Sequence, residues 1–200
     1  MRQKVPPGKE KGIVWSGGNI YAGGGVVENC LIKGGRGNGN NDSGYPGAGI
    51  RVDGDAKVVN CTIVGNTESA YRGVYCGSSS ASVVNCAIYD NGGTSAFEWG
   101  NNNAARFVNC AVASSAADGF TGDGCIATLT DAAFTDYANA DYHPVKDGVL
   151  VNAGTRWDAY LGYSATSETD LAGAARLSGK FLDIGCYETA TSAGLQIYVR

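Results

Sequence analysis

Apolar residues in this chain come in short runs of four to six. They are rich in β-branched side chains and bounded by Gly, Asn, Asp and Ser. No run repeats at i, i+3 and i+4 over the length a helix needs, so the pattern predicts short strands. Four segments align without gaps: Val27-Glu28-Asn29-Cys30-Leu31-Ile32, Val58-Val59-Asn60-Cys61-Thr62-Ile63, Val83-Val84-Asn85-Cys86-Ala87-Ile88 and Phe107-Val108-Asn109-Cys110-Ala111-Val112. Their cysteines are 31, 25 and 24 residues apart, the spacing of stacked repeats that bury an apolar face against their neighbours.

Alternation within each unit assigns its faces. Val27, Val58, Val83 and Phe107 point inward, whereas the next residue tolerates Glu28 and points outward. Asn29, Asn60, Asn85 and Asn109 then break the alternation. Asparagine accepts a left-handed backbone, and its amide can bond the same amide one rung away. Beyond that corner the cysteine and the residue two further on (Ile32, Ile63, Ile88, Val112) point inward again. A third strand precedes each unit, with inward residues Ile20, Ile50, Val74, Phe97 and Phe120, and with Ala22, Val52, Cys76 and Trp99 two places later. Three strands per rung, over four to five rungs, predict an all-β right-handed parallel β-helix across 13–133. An irregular closing segment over 134–188 packs on it. Residues 1–12 read as a polar leader or a truncated upstream rung, and 189–200 as the start of a linker.

Composition narrows the possibilities. Thirty-one glycines and four prolines in 200 residues suit many tight corners rather than collagen or a proline-rich linker. The net charge is −4 with no Lys/Arg block, so neither nucleic acid nor an anionic membrane is an expected partner. No apolar run is long enough to insert in a membrane, and the charged start with Pro6-Pro7 is not a signal peptide. The seven cysteines include no Cys-x-x-Cys pair, and the single histidine, His143, lies far from most of them, which argues against zinc. Cys30, Cys61, Cys86 and Cys110 instead predict an internal column about 4.8 Å apart. Parallel Cβ vectors suit packing thiols better than disulfides. Cys76, Cys125 and Cys186 are expected at the periphery.

The asparagine-cysteine units and the tail resemble the bacterial choice-of-anchor Q repeat proteins, a branch of the pectate-lyase-like β-helix group. The tail carries Asp170-Leu171-Ala172-Gly173, Arg176 and Asp183-Ile184-Gly185-Cys186-Tyr187-Glu188. Upstream, Phe134-Thr135-Asp136, Asp141-Tyr142 and Val151-Asn152-Ala153-Gly154 look like the family's segment before closure. The likeness covers roughly 13 to 188. It departs at Asp147-Gly148, where the family has Ser-Pro, at Asn152, where it has Asp, and at Cys186, where it has Ala. The resemblance implies an extracellular or cell-surface protein, with a signal peptide and further rungs upstream and an anchor downstream. The chain is therefore expected to be a fragment.

Function is least explicit. The outward column of the first strand reads Tyr21, Arg51, Tyr75, Glu98 and Thr121, with Asp53 beside Arg51. Such a face suits a polysaccharide or surface glycan, by stacking on sugars and bonding their hydroxyls, with Arg51 favouring an acidic chain; it also suits an ordinary polar sheet face. The Gly- and Asn-rich stretch 34–47 lengthens its rung into a loop, either binding or tolerated. Within it, Asn40-Asn41-Asp42-Ser43 offers oxygens to Ca2+, but one carboxylate makes a poor site, so no cofactor is expected. A carbohydrate-binding or adhesive surface protein is the first reading. A polysaccharide lyase or glycoside hydrolase, degenerate or incomplete, is the second, with Arg51 as the base or Asp53 and Glu98 as an inverting pair. A structural stalk is the third. His143 reads as a loop residue rather than a catalyst.

Overall fold

The computed structural model describes residues 19–36, 48–67, 73–92, 97–99, 106–113, 122–156, 169–178 and 181–190, with the backbone alone at 97–99 and 106. Twelve short strands form three parallel sheets. The first contains β1 (Ile20–Ala22), β4 (Ile50–Val52), β7 (Val74–Cys76) and β10 (Phe97–Trp99). In the second lie β2 (Val26–Glu28), β5 (Lys57–Val59), β8 (Ser82–Val84) and β11 (Arg106–Val108). The third holds β3 (Leu31–Lys33), β6 (Thr62–Val64), β9 (Ala87–Tyr89) and β12 (Ala111–Val112). Each repeat gives one strand to every sheet, so four three-strand rungs stack in sequence order. The register pairs Ile20 with Ile50, Ile50 with Val74 and Val74 with Phe97, as the alternation predicts. Bridges Val108–Asp123 and Ala111–Ile126 begin a fifth rung. Phe120 and Thr121 lie outside the described residues, as do residues 13–18 at the start of the expected β-helix.

Left-handed corners shape the rung. Asn29, Asn60, Asn85 and Asn109 all adopt φ between 47° and 52° between the second and third sheets. In the fifth rung Gly124 takes this place with φ 66°. Its successor Cys125, half-buried, extends the thiol column, accepting the Cys110 N–H at 3.3 Å, whereas Cys76 and Cys186, expected at the periphery, are buried. Upstream in the column the Cys61 and Cys86 N–H groups donate to the next thiol at 3.4 Å each. All seven cysteines are free. A second left-handed corner, at Gly34, Gly65 and Asp90, follows the third sheet.

The expected ladder of asparagine amides sits mainly at this second corner. Asn66 Nδ2 donates to Asn91 Oδ1 at 2.8 Å and to the Ile32 carbonyl at 3.0 Å, while Asn91 Nδ2 donates to the Ile63 carbonyl at 2.9 Å. At the first corner only a long contact joins Asn60 to Asn29, at 3.5 Å. Three of those amides turn instead to the closing segment. Asn85 exchanges two 2.8 Å bonds with the Thr155 backbone, Asn109 donates to the Ala153 carbonyl and Asn29 to the Thr169 carbonyl. The reason is geometric: a left-handed corner swings its side chain outward, where the last third of the chain passes.

That segment changes which outward positions see water. Val59, Val84 and Val108 face outward in the second sheet yet are buried under Leu182. Outside the third sheet, Val64, Ala87 and Ala111 pack against Leu129, Phe134, Tyr142, Leu150 and Ile184. Removing one such valine from water stabilises by roughly 1.5–3 kcal/mol, so this cover is a second core. It contains β13 (Phe134–Asp136) and β14 (Asp141–Pro144), an antiparallel pair joined by a 3-10 turn at Tyr137–Asn139. Gly185, with φ 109°, comes so close to Thr62 that a Cβ would stand 2.8 Å from its hydroxyl, and that hydroxyl accepts the Cys186 N–H.

A buried hydrogen-bond network locks the end of the cover. Arg176 is fully buried, donates to the Asp183 and Gly185 carbonyls and pairs with Glu188 at 3.2 Å. Asp170 receives the Ala174 and Glu188 N–H groups, and Asp183 those of Asn152 and Thr189. Burial pushes the Glu188 carboxyl up to about 8, against the pull of Arg176. A carboxyl raised in the folded state binds its proton there more tightly than in the unfolded chain. Its contribution therefore weakens as pH rises from about 4.5 to about 8. Melting temperature should decline across that window, and more shallowly in Glu188→Gln; parallel wild-type and variant curves would remove Glu188 as the cause.

The column makes a chemical prediction. Burial pushes Cys61, Cys86 and Cys110 well up, whereas the hydrogen bond with Cys110 lowers half-buried Cys125. Alkylation of the native protein with peptide mapping should label Cys125 before those three, and denaturation should release seven thiols. Earlier labelling of Cys86, or a mapped disulfide within the column, would contradict the packing.

Candidate functional site

The inward pairs Ile20/Ala22, Ile50/Val52 and Val74/Cys76 force the residue between them outward, because a strand side chain alternates every residue. Tyr21, Arg51, Tyr75 and Glu98 are thus brought into direct register on successive strands of the first sheet. Of Glu98 only the backbone position is described, one rung beyond Tyr75.

Arg51 organises the centre of this strip. Its Nε donates to Asp53 Oδ2 at 2.7 Å, and its guanidinium carbon lies 5.8 Å from the Tyr21 ring centre and 5.1 Å from that of Tyr75. Both partners of the ion pair are about four-fifths covered, with side-chain exposures of 22% and 20%. The cation is held between two aromatic faces and against a carboxylate.

Small residues at the following corner make this fit. The Tyr21 ring lies over Gly23 and the Tyr75 ring over Gly77, with ring carbons 3.2 and 3.3 Å from where a Cβ would stand. A Cβ at Gly77 would also stand 2.0 Å from Asp53 Oδ1. Rungs therefore alternate Tyr-x-Gly, Arg-x-Asp, Tyr-x-Gly, and the carboxylate uses the space its glycine neighbour leaves. Sequence reasoning passed over these glycines, although Tyr21-Ala22-Gly23 and Tyr75-Cys76-Gly77 stand in the register already assigned.

The geometry bears on the chemistry proposed for each residue. The Arg51 guanidinium is engaged by Asp53 and by the two rings rather than turned to solvent as a lone base. Asp53 is turned toward Arg51. Rung spacing puts the Glu98 backbone about 9–10 Å from that of Arg51. Elsewhere, His143 lies on strand β14 rather than in a loop, with Nδ1 2.6 Å from Asp141 Oδ1 and its ring stacked on Tyr187 at 4.0 Å. The hydrogen bond with His143 lowers the exposed Asp141 carboxyl. These contacts tie β14 to the closing turn.

No group of three or more His, Cys, Asp or Glu is arranged for a metal ion among the described residues. The Asn40–Ser43 stretch lies outside them, as does most of the 34–47 stretch expected to form a loop. No helix is long and apolar enough to cross a membrane among the described residues. No family model, curated protein or solved structure matches the chain.

Proposed function

We propose that the stacked sheets form a right-handed parallel β-helix of the choice-of-anchor Q, pectate-lyase-like kind, displayed at a bacterial cell surface, and that the outer face of its first sheet binds carbohydrate. Two features support the family reading: parallel three-strand rungs, and a closing network built from the motif residues Asp170, Arg176, Asp183 and Glu188. One observation carries the functional reading. The closing segment covers Val59, Val84 and Val108 of the second sheet and Val64, Ala87 and Ala111 of the third, whereas it contributes no apolar cover to the half-buried tyrosine-arginine strip of the first sheet among the described residues. Aromatic and hydrogen-bonding groups repeat there at the rung spacing of about 4.8 Å, close to the length of one sugar unit in an extended polymer. A glycan lying along the stack can meet one rung per unit.

Binding of the intact chain to a glycan array, followed by titration of the retained glycan, tests this reading. Tyr75→Ala should weaken binding about tenfold, the scale of one lost aromatic contact, with an unchanged melting curve. Undiminished binding in a Tyr21→Ala/Tyr75→Ala double variant would move the site off this face. Turnover of the glycan that disappears in Glu98→Gln would replace binding with catalysis.

A further inference from the structure

Resting on that carbohydrate-binding reading, we infer that the first-sheet strip selects uncharged glycans, because the Arg51–Asp53 clamp withdraws from the ligand the one positive charge that the strip carries among the described residues. From sequence alone, Arg51 suggests an acidic polymer. The structure assigns the guanidinium a different task. Its Nε is given to Asp53 at 2.7 Å, and it is set against the rings of Tyr21 and Tyr75. A ligand carboxylate would have to displace Asp53, which is already in place and pre-ordered by its position over Gly77. Exchanging one carboxylate for another gains little, since the same charge-assisted bond is broken and remade.

The surrounding charge points the same way. Exposed Asp55 lies over Gly24 with Oδ1 3.2 Å from the Cβ position, next to the Tyr21 rung. Glu98 continues the column beyond Tyr75. Asp53 thus sits against Arg51, Asp55 at the corner of the Tyr21 rung, and position 98 two rungs beyond Arg51 carries a glutamate, on a chain of net charge −4. A polyanion along the stack would meet an excess of like charge, which within a Debye length of about 10 Å disfavours approach. Neutral sugars meet no such penalty, and their hydroxyls and C–H faces match aromatic rims and polar atoms.

Arg51 is accordingly a positioning residue that keeps the two tyrosines apart and in register, and Asp53 is the specificity determinant. The test compares intact wild type, Asp53→Asn and Gly77→Ala on two sets of immobilised polymers. One set is neutral (β-glucan, xylan, mannan), the other acidic (polygalacturonate, alginate), each at low salt and at about 0.5 M NaCl. The wild type should retain a neutral polymer, with affinity changing less than about twofold between the salts, and should not retain the acidic ones. Asp53→Asn removes this carboxylate from the guanidinium and should raise affinity for an acidic polymer about tenfold, in a salt-sensitive way. Gly77→Ala displaces the Asp53 carboxylate sterically and should shift preference in the same direction. Melting curves establish that both variants fold. Wild-type preference for an acidic polymer, or no acidic gain in a folded Asp53→Asn, would overturn this inference and leave carbohydrate binding standing. Retention of no polymer in either set would overturn both.

Discussion

The molecule depends on one local constraint: a left-handed residue between the second and third strands of every rung. Most side chains adopt that conformation at a cost, whereas asparagine and glycine do so readily. Asn29, Asn60, Asn85 and Asn109 supply it four times and Gly124 a fifth. Because the corner recurs at one place in the register, the strands on either side of it align from rung to rung. The inward residues then stack in columns of valine, isoleucine and cysteine. Asparagine adds what glycine lacks, an amide that reaches outside the stack.

That amide links the repeats to the cover. Asn85 and Asn109 hold the backbone at 153–155, Asn29 holds it at 169, and Leu182 packs on Val59, Val84 and Val108. Buried amides of this kind stabilise modestly when satisfied, about 1 kcal/mol each, but are costly when orphaned. They therefore specify where the cover lies more than they drive its attachment, which the apolar contacts supply. The asymmetry of the outer surface follows. One apolar column on each of two faces becomes interior, and the first sheet keeps the side chains that in the proposed function meet a glycan.

Much of the repeat was legible in the sequence, for identifiable reasons. Period-two alternation fixed the inward residues of all three strands, and the pairing of Ile20, Ile50, Val74 and Phe97 matches it residue for residue. The outward column of Tyr21, Arg51, Tyr75 and Glu98 came with it. Cys125 was misplaced because its rung is 15 residues after Cys110 and carries glycine instead of asparagine, so a search for Asn-Cys passes it by. The Asn66–Asn91 ladder was overlooked although its interval of 25 equals that between Cys61 and Cys86. The burial of Val59, Val84 and Val108 was beyond local reasoning, since it depends on a segment 70 or more residues away. The Arg51–Asp53 clamp was half legible: the i, i+2 pair is plain, but its effect depends on the absent side chain at Gly77 one rung away.

The asparagine amides fix where the cover lies on two sheets and leave the first sheet independent of it. Hydrogen exchange of wild type and Asn85→Gly, read by mass spectrometry, measures this, because glycine keeps the left-handed corner and removes only the amide. The account predicts faster exchange at 150–155 and 182–185 in the variant, with little change at 50–52 and 74–76. Unchanged exchange in the closing segment, or an equal increase across the first sheet, would contradict it.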